Sequence, residues 1–177
     1  MNWTRRKLSP PLFDMKVIFP GSFDPFTKGH ESVVRRALDF AEEVVIGVGY
    51  NGLKRNSGMF SVEERVRMIS EFYAEEPRIS VIAYTCLTTD IANELGCTHI
   101  LRGVRTVIDF EYERNLADVN RHLTGIETIL LFNEPAMAHI TSTTVRELLT
   151  FGKDVTDFMP VGFPQLVVKQ KNEPYFG

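Results

Sequence analysis

Short apolar runs rich in β-branched residues recur along the chain at positions 16–19, 44–48, 79–83, 100–101 and 128–132. Between them lie stretches in which apolar residues return at helical spacing, at 31–41, 61–73, 90–95, 110–123 and 143–151. Punctuation supports this division. Ser61-Val62-Glu63-Glu64 has the S-x-x-E form of a capping box. Gly96, Gly125 and Gly152 each fall just past a helical stretch, where a left-handed C′ residue is wanted. Strand alternating with helix at this spacing predicts right-handed βαβ units, and so a doubly wound α/β domain with a parallel sheet covered on both faces. No linker, repeat or low-complexity segment interrupts residues 15–171, so a single domain is expected, with 172–177 as a C-terminal tail.

Composition narrows the function classes without choosing one. A chain of 177 residues fits one domain. A net charge of −3 argues against a general nucleic-acid binder but leaves room for a local basic pocket. Cys86 and Cys97 show no paired metal spacing and are expected to be reduced thiols. No run reaches the roughly 18 apolar residues of a membrane span. The basic segment before Met15 lacks the apolar core of a signal peptide, so a cytoplasmic setting is expected.

In a doubly wound sheet, ligands bind beyond the carboxyl ends of the strands, where the strand order reverses. The loops after the first, second, fourth and fifth strands would therefore converge. One motif there is a decoy. Gly47-Val48-Gly49-Tyr50-Asn51-Gly52 reads G-x-G-x-x-G, but the next helix starts only at Ser61, so no helix N-terminus meets a pyrophosphate. The two glycines lie inside an apolar strand, where small residues allow close packing. No G-x-x-x-x-G-K-[ST] phosphate loop occurs.

The segment Pro20-Gly21-Ser22-Phe23-Asp24-Pro25-Phe26-Thr27-Lys28-Gly29-His30 does join a strand to a helix. Gly21 allows close approach to a ligand, Ser22 offers an N–H and a hydroxyl, and Pro25 stiffens the turn. Gly29 and His30 open a helix whose dipole favours negative charge, which suits phosphate. The competing reading is a plain tight turn, with Asp24 and Thr27 capping backbone and His30 an ordinary helix residue.

These residues, T-x-G-H after F-P-G-S-F-D-P, resemble the signature of the nucleotidyltransferase superfamily, which has a Rossmann-like fold. The form with Thr in the first motif position resembles the phosphopantetheine adenylyltransferase family. The segments 60–65 (FSVEER), 101–105 (LRGVR), 109–113 (DFEYE), 120–122 (NRH) and 140–143 (ITST) resemble that family too, in its order. The likeness covers about residues 15–165. Met15 is where such a chain would be expected to start, so residues 1–14 are expected to be an extension or the result of an upstream start codon.

The resemblance implies transfer of AMP from ATP to 4′-phosphopantetheine, giving dephospho-coenzyme A and pyrophosphate with Mg²⁺ assisting. This is the penultimate step of coenzyme A synthesis. The nucleophile is already an anionic phosphate oxygen, so no general base is needed, and catalysis reduces to positioning and charge stabilisation. His30 would contact the α-phosphate and stabilise its extra charge. Ser22 would hold both substrates, with the Phe23 N–H helping on the nucleotide side. Lys54 and Arg102 would contact the phosphate of phosphopantetheine, and Thr88 its pantetheine arm. Gly103, Val104 and Arg105 would bind ATP, and Glu113 would lie near the nucleotide. Met137, Ala138, His139, Ile140, Thr141, Ser142 and Thr143 would line the nucleotide side.

Other readings stay open for several of these residues. Arg102 and Arg105 can serve as surface ion pairs, Ser142 as a plain N-cap, and Glu113 as a partner of Arg114 or Arg121. No carboxylate cage for Mg²⁺ is evident, so ATP and water would hold the ion. The family likeness also suggests a homohexamer and coenzyme A as a feedback ligand.

One departure stands out. The family's lysine loop commonly runs N-P-x-K-x-P-x-F, whereas residues 51–60 read NGLKRNSGMF, about two residues longer and without either proline. Arg55 is thus placed to share the role of Lys54. The competing functions are a sister nucleotidyltransferase with another phosphorylated acceptor, such as nicotinamide mononucleotide, and a non-catalytic sensor of coenzyme A or nucleotide.

Overall fold

The computed structural model describes residues 14–50 and 58–166. Five strands form one sheet: β1 (Lys16–Gly21), β2 (Glu43–Gly49), β3 (Ile79–Tyr84), β4 (His99–Val104) and β5 (Glu127–Phe132). Five α-helices connect or follow them: α1 (Lys28–Ala37), α2 (Val62–Phe72), α3 (Thr88–Glu94), α4 (Val107–Thr124) and α5 (Ser142–Thr150). Every strand pairing is parallel, in the order β3-β2-β1-β4-β5. The predicted strands and helices are all present, and the doubly wound α/β architecture follows from them.

Burial explains the near-continuous apolar strands. Val17 and Phe19 of β1 face one layer together with Val44, Ile46 and the inner sides of α1 and α2. Ile18, Val45 and Ile100 face the other, against Ala92 of α3. Strands covered on both faces lose the alternation that marks a half-exposed sheet. A smaller apolar cluster of Val145, Val155 and Met159 seats α5.

Punctuation is as expected. Ser61 and Glu64 exchange backbone bonds as a capping box, with Ser61 N–H donating to Glu64 Oε2 at 2.8 Å and Glu64 N–H to Ser61 Oγ at 3.2 Å. Gly96, Gly125 and Gly152 adopt φ of +67°, +77° and +64°. Gly47 and Gly49 make room for Tyr84. A Cβ at Gly47 would sit 3.0 Å from its ring, and one at Gly49 3.1 Å from its hydroxyl.

The order places the switch point between β1 and β4, the two strands that precede the most specified loops. Their pairing covers only Val17↔His99 and Ile18↔Ile100. Beyond that register Phe19–Gly21 and Leu101–Val104 part, and a crevice opens at the carboxyl edge of the sheet.

Candidate active site

A cavity of about 350 Å³ occupies that crevice. It gathers Ser22, Phe23 and His30 from the β1–α1 segment, and Arg102, Gly103, Arg105 and Glu113 from β4 and α4. Ile140, Thr141, Ser142 and Thr143 come from the approach to α5. A second cavity of about 180 Å³ adjoins it at Pro20, Arg102 and Glu113, and Leu87, Thr88, Leu116, Val119 and Leu123 line its remainder. Val104 is buried in the core, and Met137, Ala138 and His139 line neither cavity. Lys54 and Arg55 lie outside the described residues.

The turn after β1 is anchored by its carbonyls. Arg102 Nη1 donates to Pro20 O at 2.9 Å, Arg65 Nη1 to Ser22 O at 2.8 Å, Arg146 Nη1 to Asp24 O at 2.6 Å and Ser142 Oγ to Pro25 O at 2.8 Å. Its one carboxylate, Asp24, accepts the backbone N–H of both Met59 and Phe60 at 2.9 Å. Phe23 takes a positive φ of 48°, and its buried ring lies edge-on to His30 at 5.1 Å. A non-glycine residue held in that region signals a locally over-determined backbone, as functional turns often show.

His30 occupies the third position of α1, where it completes a capping arrangement with Thr27. Thr27 donates its backbone N–H to Nδ1 at 3.0 Å, and its hydroxyl lies 3.1 Å from the same nitrogen. An Nδ1 that accepts a backbone bond carries no proton, so the neutral ring is protonated at Nε2. Burial, reinforced by the charge of Arg105, pushes the His30 pKa down to about 3. The ring is therefore a neutral donor at physiological pH.

Arg102 makes a bidentate pair with Glu113, through Nε to Oε2 at 2.7 Å and Nη2 to Oε1 at 2.6 Å. Glu113 thus pairs with neither Arg114 nor Arg121. Arg105 pairs with Asp109 at 3.4 Å. The N-cap of α5 is Thr141, whose hydroxyl accepts Thr144 N–H at 3.0 Å, so Ser142 is not the cap. Its hydroxyl ties α5 to the β1 turn instead.

Two polar side chains in the large cavity escaped the sequence reading. Arg146 follows Thr143 by one helical turn and donates to its Oγ1 at 3.1 Å. That i, i+3 spacing from the Ser-Thr segment was the available signal. Asn133, just past β5, stands where a side chain at Gly103 would crowd it. A Cβ at Gly103 would lie 3.2 Å from its Oδ1.

The solved structures of greatest note share this fold at low identity. One is a bifunctional NMN adenylyltransferase/ADP ribose pyrophosphatase from Francisella tularensis, complexed with AMP and a Mn ion. It matches at a TM-score of 0.63 and 17% identity, over 83% of this chain and 44% of that one. A putative nicotinate-nucleotide adenylyltransferase from Vibrio parahaemolyticus matches at 0.59 and 19%, over 84% and 96%. A family model described as cytidylyltransferase-like matches residues 18–148. Sheet order, switch-point cavity and family match together define a nucleotidyltransferase of the cytidylyltransferase-like class. Phosphopantetheine adenylyltransferase from Phocaeicola vulgatus is 58% identical over 147 residues, 83% of this chain and 96% of that protein. The enzyme of the same name from Bacteroides fragilis is 56% identical over 147 residues, 83% of this chain and 97% of that protein. The chain belongs to the phosphopantetheine adenylyltransferase family.

Proposed function

We propose that the protein transfers AMP from ATP to the phosphate of 4′-phosphopantetheine, forming dephospho-coenzyme A. A phosphate oxygen of the acceptor attacks the α-phosphorus. The bond from that phosphorus to the bridging oxygen breaks, and pyrophosphate leaves with the electron pair. The observation that carries this reading is that His30, whose Nδ1 accepts Thr27 N–H, shares one cavity with Arg102, Arg105 and Arg146. Fixed donors and cations around a phosphate site stabilise charge that develops in the transition state without needing a base.

His30 donates to the α-phosphate as its negative charge grows. Ser22 and the Phe23 N–H steady the reacting groups. Arg105 and Arg146 serve the triphosphate, with Gly103 and the residues 140–143 beside the nucleotide. Arg102 takes the acceptor phosphate, because a guanidinium suits bidentate phosphate contact. Lys54 assists from the segment 51–57. The apolar second cavity, beginning at Arg102 and passing Thr88, fits an uncharged arm attached to that phosphate.

The triphosphate would bring Mg²⁺ with it, and the ion would supply charge neutralisation there. The carboxylates nearest the site, Asp109 and Glu113, are engaged by arginines. Triphosphate oxygens and water are the natural ligands of an ion that keeps much of its hydration. A homohexamer accords with the exposed apolar residues Val107, Ile108 and Tyr112 along α4. Coenzyme A, which carries the same arm, would compete for the second cavity as a feedback ligand. No helix of the described residues is long and apolar enough to cross a membrane, and the reaction suits a cytoplasmic enzyme.

The deciding experiment follows pyrophosphate release from ATP and Mg²⁺ with 4′-phosphopantetheine, with nicotinamide mononucleotide, and without acceptor. Release only with phosphopantetheine, with dephospho-coenzyme A formed, is expected. Release with the mononucleotide instead would move the acceptor. ATP binding without release in any arm would make the site a sensor's pocket.

A further inference from the structure

Among the eighteen residues of α4, Glu113 alone is buried. A carboxylate in that place needs a partner, and Arg102 supplies it with two short bonds at 2.7 and 2.6 Å. A third bond joins Arg102 Nη1 to Pro20 O at 2.9 Å. A guanidinium has five N–H donors, and these contacts use three of them. One N–H on each terminal nitrogen stays free of protein acceptors among the described residues. The pair stands where the two cavities meet, since Arg102, Glu113 and Pro20 line both.

We infer that Glu113 is a positioning residue for the acceptor. It grips one edge of Arg102 and turns the two remaining N–H groups toward the phosphate of 4′-phosphopantetheine, at the mouth of the second cavity. This inference rests on the reaction given above, but assigns Glu113 to the acceptor rather than to the nucleotide. Each of its oxygens accepts a bond from Arg102, which holds the carboxylate on the side of the guanidinium. A carboxylate released from Arg102 to face a triphosphate would be repelled by it. Held by Glu113 and by Pro20 O, the guanidinium keeps one orientation when the acceptor arrives, and less rotamer entropy is lost on binding.

The test is steady-state kinetics of the full chain with both substrates varied, for Glu113→Gln, Glu113→Asp, Arg102→Ala and the double variant Arg102→Ala/Glu113→Gln. Glutamine keeps the shape but sets an NH₂ against an N–H of Arg102. The KM for 4′-phosphopantetheine should rise about tenfold and kcat should fall, the scale of one lost charge-assisted bond. The KM for ATP should stay within about twofold. Aspartate keeps the charge and should recover part of the loss. The double variant should be no worse than Arg102→Ala, because a residue acting only through Arg102 has nothing further to lose.

A rise in the KM for ATP alone would overturn the inference. So would an unchanged acceptor KM in Glu113→Gln, or a further large loss in the double variant. Should Glu113→Gln fail to fold, the aspartate variant carries the same comparison. Failure of the underlying reaction would appear separately, as wild-type protein that releases no pyrophosphate with phosphopantetheine. Equilibrium binding of 4′-phosphopantetheine to wild type and variants then decides, with about tenfold weaker binding expected for Glu113→Gln and equal binding overturning the proposal.

Discussion

The backbone N–H of Thr27 points at Nδ1 of His30 from 3.0 Å, and this single bond decides which face of the imidazole is chemically useful. With Nδ1 occupied as an acceptor, the ring has one proton to offer, at Nε2. Replacing His30 by alanine should lower kcat by about 10²–10³, the usual cost of removing one transition-state donor. The KM for ATP should change far less. Turnover within a few-fold of wild type would remove His30 from the mechanism.

The same residue makes a prediction about pH and activity. An imidazole whose pKa lies near 3 does not change charge between pH 5 and 8. The kcat profile should therefore lack an inflection from His30 near its ordinary value of about 6.5. Titrating the wild type and a His30→Asn variant separates this from other groups. An inflection between pH 6 and 7 that disappears only in the variant would show that His30 works as a cation.

Stability should respond to acid through His30 as well. Its folded pKa is depressed, chiefly by burial, so the unfolded chain takes up the proton more readily than the native one. Stability is then fully present above about pH 6.5 and is lost progressively as pH falls toward about 3. The melting temperature of wild type should drop more between pH 7 and pH 5 than that of His30→Gln, which has nothing to titrate there. Parallel curves would mean that His30 is hydrated enough to protonate in place.

Removing the Arg102 side chain should raise the KM for phosphopantetheine more than that for ATP. Calorimetric titration of each substrate into Arg102→Ala checks it directly. The reverse order would exchange the substrates between the two cavities.

Gly21 offers a test of the turn itself. A Cβ there would come within 2.8 Å of Phe23 Cζ, and Phe23 is a buried ring packed against Phe19 and Phe26. Gly21→Ala should cost about 1–3 kcal/mol of stability, the usual range for overpacking. Chemical denaturation measures it. Activity should fall too, because the Phe23 ring also packs against His30.

Much of this architecture was visible in the pattern of apolar positions, because strands covered on two faces leave short β-branched runs, set apart from buried helix by their length and flanking turn residues. The boundaries were harder. α1 begins at Lys28, beside the Gly29–His30 opening and ahead of the amphipathic stretch 31–41, because its first turn lies inside the glycine–proline segment and is started by Thr27. α4 begins at Val107, since Val107 and Ile108 are apolar yet exposed and blur the amphipathic stripe. The hidden signal was Thr106, which caps the helix by accepting Asp109 N–H at 3.1 Å. In the site, the segments 20–30, 102–105 and 140–143 could be assembled from their places after strands. The pairing of Arg102 with Glu113 could not. It depends on how α4 rotates against β4, and local spacing does not encode that angle.

Four carbonyls of the β1 turn are gripped by residues from α2, β4 and α5, and the Asp24 carboxylate by the approach to α2. The segments that supply these grips lie as much as 122 positions away in sequence. The turn therefore cannot take its shape from neighbouring residues alone; it is completed only when α2, β4 and α5 are in place. A partly folded chain would carry every motif and still lack the cavity. A ligand of that cavity would stabilise only the finished molecule, by an amount that grows with the logarithm of its concentration once the site is saturated.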